Sequence, residues 1–178
     1  MKRALAAVCA LLCLVVLSGC HSHRPLKLPE VISLQKEIQE MPVVNDIYNN
    51  YCPVNTSAGL TFYIACGDLT REEALTIARK VRELFIQEEF MDTFLTTVGS
   101  GDSEYYRACN RCPAHVEVVI QGDSYPRMPR ERPVYIFWAD FFADHDMSGK
   151  GYIYDGYSTW HGEHKKEAIA MEEILGAE

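Results

Sequence analysis

The stretch that most constrains the fold is Thr70-Arg71-Glu72-Glu73 and the fifteen or so residues after it. A threonine followed three positions later by glutamate is a capping box: the Thr70 hydroxyl takes the Glu73 N–H, and the Glu73 carboxylate reaches back to the Thr70 N–H. Ala74, Ile77, Ala78, Val81 and Phe85 then recur at helical spacing with Leu84 on the flank. Such a stripe must be buried, so the chain needs a layer for this helix to pack on. On the wet side Arg79 and Glu83 stand four apart and are expected to pair.

That layer is a sheet. Leu60, Phe62, Ile64 and Cys66 alternate, predicting a strand over 60–66 with these four facing in. Ala114 to Gln121 alternates as clearly, with Val116, Val118 and Ile120 inward and His115, Glu117 and Gln121 outward. Val134 to Phe142 is apolar on both faces, the pattern of a central or doubly covered strand. Thr93 to Val98 is rich in β-type residues and reads as a strand, with continued helix as the alternative, and Tyr-rich Gly151 to Thr159 reads as the last strand. A first helix spans Pro29 to Met41 on Val31, Leu34, Ile38 and Met41, and Pro42 ends it. The asparagines and prolines of Val43 to Ser57 read as loop. Glu163 to Leu175 reads as a terminal helix docking through Ala168, Met171, Ile174 and Leu175. Short links between the late strands imply antiparallel neighbours. The expected class is α+β: a mostly antiparallel sheet of about five strands with helices packed on one face.

The N-terminus has its own pattern. Lys2 and Arg3 precede an uncharged apolar run from Ala4 to Leu17. That run is too short for a membrane span, which takes roughly 20 residues, and suits a secretory leader, which takes about 7–15. Leu17-Ser18-Gly19-Cys20 resembles the lipobox of bacterial lipoproteins. The resemblance implies cleavage before Cys20 and lipid on its sulfur. The expected organisation is a leader over 1–19, a lipidated tether over 20–28 and one extracytoplasmic domain over 29–178. The protein would be held to the membrane by lipid, at the outer membrane where two membranes exist and on the outer face of the cell membrane otherwise. Arg24 and Lys27 stand in the tether near lipid headgroups, and His21 and His23 offer it a weak metal grip.

Charge excludes one class of partner. The chain carries a net charge of −8, which becomes −10 once Lys2 and Arg3 leave with the leader. That sign argues against nucleic acid. Of seven cysteines, Cys52, Cys66, Cys109 and Cys112 remain behind the lipidation site. In an exported protein they read as disulfides; of three possible pairings the favoured one joins Cys52 to Cys66 and Cys109 to Cys112.

Three sets of residues invite chemistry. Cys109, Cys112 and His115 have zinc-ligand spacing, and Cys52 or Cys66 would complete a tetrahedral set. Only one paired motif is present, and Pro113 with a strand after it argues against a thioredoxin-like site. Asp144, Asp146 and Ser148 with Gly149 match the first half of a calcium loop, but Gly151 and Asp155 depart from its second half, leaving a hairpin turn as the plainer reading. Asp140, Asp144, His145, Asp146, Asp155, His161 and His164 are dense enough for a hydrolase, yet no metalloprotease, nucleophile-elbow or phosphate-loop motif accompanies them.

Arg127, Arg130 and Arg132 stand among Pro126, Pro129 and Pro133 as the one basic patch, next to Tyr125. Arginine forks there suit a carboxylate or phosphate on a partner. The leading expectation is a lipid-anchored, non-enzymatic envelope component that contacts another envelope protein or polymer, with no cofactor. The alternatives are a zinc or calcium module and an envelope hydrolase using the Asp/His-rich end.

Overall fold

In a computed structural model the chain is described over residues 25–52, 59–99, 115–122, 134–140, 142–145, 152–154 and 157–176. Helix α1 (Pro29–Gln39) starts with proline at its first position and buries Val31, Leu34 and Ile38. Strands β1 (Val44–Cys52) and β2 (Gly59–Cys66) follow as an antiparallel pair. Helix α2 (Arg71–Phe85) opens on the expected capping box, with the Thr70 hydroxyl accepting from the Glu73 N–H and the Glu73 carboxylate accepting from the Thr70 N–H at 2.8 Å. Helix α3 (Glu88–Gly99) precedes β3 (His115–Gln121), β4 (Tyr135–Asp140), β5 (Phe142–His145), β6 (Tyr152–Tyr154), β7 (Trp160–His164), β8 (Glu167–Ile169) and α4 (Met171–Leu175).

Six strands form one mixed sheet in the order β1-β2-β3-β4-β7-β8, and β5 pairs with β6 separately. Four of the five pairings in the large sheet are antiparallel; β2 and β3 run parallel, and the connection between them carries α2 and α3. A parallel pair requires a crossover of that kind. The architecture is mixed α and β, and the six-stranded, mostly antiparallel main sheet agrees with the expected sheet of about five strands.

Alternation does the sorting. Leu60, Phe62, Ile64, Val116, Val118, Ile120, Phe137 and Ala139 are fully buried, and the apolar stripes of all four helices join them in one core. Ile174 of α4 approaches β7 closely because position 162 is glycine. A Cβ there would lie 2.8 Å from Phe137 Cδ1 and 3.1 Å from Ile174 Cδ1.

Five expectations are corrected. Val44–Cys52 is a strand, not a loop, because its one buried polar side chain, Asn49, is satisfied by specific hydrogen bonds rather than by an apolar pattern. The Leu26 N–H donates to Asn49 Oδ1 at 2.6 Å, and the Asn49 amide donates to the Leu26 carbonyl at 3.2 Å and to Gln35 Oε1 at 2.8 Å. Thr93–Val98 belongs to helix α3. Thr93 and Thr97 turn their hydroxyls to the carbonyls of Glu89 and Thr93, and Phe90 and Phe94 pack edge-on against Phe85 at 5.2 and 5.1 Å.

Glu163–Leu175 is no single helix: the end of β7, strand β8 and the short α4 occupy it. Lys165 and Lys166, at φ 49° and 75°, make a tight left-handed hairpin turn between the two strands. Ile174 is buried as expected, while Ala168 and Met171 are exposed. Gly151–Thr159 is not the last strand; β6 covers Tyr152–Tyr154, and buried Tyr157 at φ 59° turns the chain into β7.

Arg79 does not reach Glu83. It donates to Glu72 Oε1 at 2.6 Å and caps the end of α4 through the carbonyls of Glu173 (2.7 Å) and Ile174 (3.2 Å). The Arg71 guanidinium grips both Glu173 carboxylate oxygens at 2.9 and 3.0 Å.

Candidate functional site

The residues that alternate with the core residues form the second face of the sheet. Strand register lines them up in two rows. One row is Asn50, Thr61, Glu117, Trp138 and His161; the other is Tyr48, Tyr63, Val119, Ile136 and Glu163. Both cross five strands, and none of the ten positions holds lysine or arginine. Most of these side chains are half-buried; Val119 is buried between its larger neighbours, while His161 and Tyr48 are exposed.

Contacts along the rows follow from cross-strand adjacency. Tyr48 and Tyr63 stack with ring centres 5.0 Å apart and planes 18° from parallel. Trp138 and His161 stack at 5.4 Å and 21°. Between these two stacks stands Glu117, whose Oε2 accepts from the Thr61 hydroxyl at 3.3 Å. Burial raises the Tyr63 phenol above its usual pKa, and the Glu117 charge adds to that rise against a smaller opposing effect of its hydrogen bond with Thr61. Among the described residues no cation meets Glu117; the ion pairs are Arg71–Glu173, Arg79–Glu72 and Lys80–Glu37.

Among the described residues the acid and the imidazole on this face stand apart. Glu117 and His161 are separated by Trp138, two strand spacings or roughly 10 Å apart. General acid–base partners need hydrogen-bond reach. His164, placed by sequence in the same reactive cluster as His161, points to the other face. Its ring lies 4.3 Å from that of Tyr135, and its Nδ1 is 3.0 Å from the Val134 carbonyl oxygen. The two histidines therefore do not converge.

The cysteines are separated as well. Cys52 stands opposite Gly59 and Cys66 opposite Val44, at the two ends of the β1–β2 ladder. Along the eight-residue β2 that is roughly 23 Å, far beyond the span of about 7 Å that a disulfide bridges. A Cys52–Cys66 bridge does not fit. Cys66 is buried on the core face, at the far end of the sheet from His115, so it cannot complete a zinc set with that histidine.

His115 itself is half-buried on the second face, in register with Gly59 and Asp140. The 146–151 link joins β5 to β6, which pair antiparallel. The side chain of Asp144, and Cys20, Cys109, Cys112, Tyr125, Arg127, Arg130, Arg132, Asp146, Ser148 and Asp155, lie outside the described residues. Among the described residues no group of three or more His, Cys, Asp or Glu is placed to hold a metal, and no helix is long and apolar enough to cross a membrane.

Sequence reasoning marked Glu117 and His115 as outward-facing but missed Tyr48, Tyr63 and Trp138. The signal lay in alternation: in Tyr-Ile-Phe-Trp-Ala-Asp of β4, Trp138 falls out of phase with buried Phe137. No family model matches the chain, and neither a curated protein nor a solved structure matches it.

Proposed function

We propose that this protein is a lipid-anchored, non-enzymatic binding component of a cell envelope. It packs its helices on one face of the sheet and offers the other face to a partner. The leader and Cys20 support the anchor. The observation that carries the binding reading is the half-exposed second face: two cross-strand rows with three aromatic side chains, beside a core face that is closed. Aromatic groups are enriched in protein interfaces relative to the remaining surface, and conserved catalytic spacing is not needed for such a role.

The test uses the full chain in its own envelope. A photo-crosslinking amino acid replaces Tyr48 or Trp138 in turn, with exposed Glu40 just past the end of α1 as the comparison position. Discrete adducts from the two sheet positions and none from Glu40 are expected. Equal adducts from all three, or none from the sheet, overturn the reading. The chain should incorporate labelled fatty acid and Cys20→Ser should abolish it; no label in the unaltered chain would remove the anchor, and label retained in Cys20→Ser would move it to another residue.

A further inference from the structure

We infer that the second face takes a cationic side chain of a polypeptide partner, received by Glu117 between Trp138 and Tyr63. This rests on the binding reading above and names the chemistry of its partner. Three observations lead to it. First, Glu117 is a half-buried carboxylate whose described partner is a neutral hydroxyl, that of Thr61. A carboxylate withdrawn from water in that way gains most from a cation. Second, the flanking groups are aromatic. Trp138 is its direct neighbour on β4, and Tyr63 lies in the adjoining row close enough to feel its charge. Rings beside a carboxylate attract ammonium and guanidinium groups, and guanidinium adds a planar stack and a fork matched to the two oxygens. Third, the face has acid at Glu117 and Glu163 and no lysine or arginine at any of its ten register positions, on a chain of net charge −8.

A neutral polysaccharide fits less well. Sugars stack on flat, open ring faces. Here Tyr48 and Tyr63 cover one face of each other, and His161 covers one face of Trp138. A sugar would also leave Glu117 without a cation.

The chain has two tryptophans, Trp138 half-buried and Trp160 buried. The full chain in detergent micelles is titrated with tetra-arginine amide, tetraglutamate and a neutral N-acetylglucosamine tetramer, following tryptophan emission. A saturable change with tetra-arginine alone is expected. It should vanish in Trp138→Phe. Glu117→Gln should weaken the apparent affinity at least fivefold, and Glu163→Gln less than twofold, with circular dichroism unchanged in both. Equal affinity in wild type and Glu117→Gln would assign the attraction to overall charge and overturn the inference. Saturation by the sugar tetramer, or no response to tetra-arginine, would overturn it too. Failure here with crosslinks at Tyr48 and Trp138 intact would leave the binding reading standing with a different partner chemistry. Loss of the crosslinks would remove that reading itself.

Discussion

Phe62 and Tyr63 are chain neighbours of similar size, yet they belong to different environments. Phe62 is fully buried among helices and strands; Tyr63 is half-buried and stacked on Tyr48. The same contrast runs across the sheet, between Val118 and Glu117 on β3 and between Phe137 and Trp138 on β4. One face is largely apolar and buried, and the other mixes rings with carboxylates and is mostly half-buried. Alternation in a strand makes the two faces independent in composition. The core face can therefore be held constant by packing while the composition of the second face varies.

Replacing one neighbour at a time breaks this comparison most severely. Phe62→Ala should cost about 3–5 kcal/mol in urea unfolding, by lost burial and a residual cavity. Tyr63→Ala should cost about 1 kcal/mol. Equal losses would show that the second face is as much core as the first. Asn49→Ala should cost about 1–3 kcal/mol, because the Leu26 N–H and carbonyl lose their partners in a buried place. Hydrogen exchange should then show Leu26 losing its protection while Phe62 keeps its own.

The Lys165-Lys166 turn tests whether strain sits in the connections rather than on either face. Both residues hold left-handed backbone angles that asparagine and glycine adopt at lower cost. Lys165→Asn with Lys166→Gly should raise stability by about 1 kcal/mol, read as a higher Tm. A lower Tm would mean the lysines do more than turn the chain.

The smallest effect is pH-dependent. Hydrogen bonds from Thr70 hold the Glu73 carboxyl below its ordinary 4.5, and the Arg71 guanidinium does the same for Glu173. A depressed native pKa gives stability that is present above the unfolded value and lost as pH falls through the native one. Tm should decline on acidification below about 4.5. Thr70→Ala and Arg71→Ala should each flatten that decline slightly, since Glu173 is exposed and Glu73 only half-buried.

How much of this was legible in advance depends on where each residue's partner lies. Helix α2 announces itself because its cap and its stripe are both local. Strands β2 and β3 do so because Phe62, Ile64, Val118 and Ile120 keep strict alternation. Strand β1 hides because a residue at the centre of its buried face is Asn49, and the groups that satisfy it sit 23 and 14 residues away. Helix α3 is obscured by threonines whose hydroxyls bond back along the helix, which weakens their β-type signal. The β7–β8 hairpin is hidden by a turn without glycine. The second face was out of reach for a related reason. Glu117, Trp138 and His161 become neighbours only through the register of three strands, and two of the three were read for other purposes or not at all.

Asn49 also decides how the domain would bear load. It holds the chain at Leu26, three residues before α1 begins, and it does so from the middle of β1 rather than from an end. A pull on the segment preceding Leu26 therefore arrives at the centre of the nine-residue β1. There it is spread over the β1–β2 ladder in both directions. Peeling a strand from its tip breaks hydrogen bonds one after another, whereas loading it at mid-length sets many of them in parallel. A single side-chain amide thus turns an ordinary edge strand into the domain's mooring point.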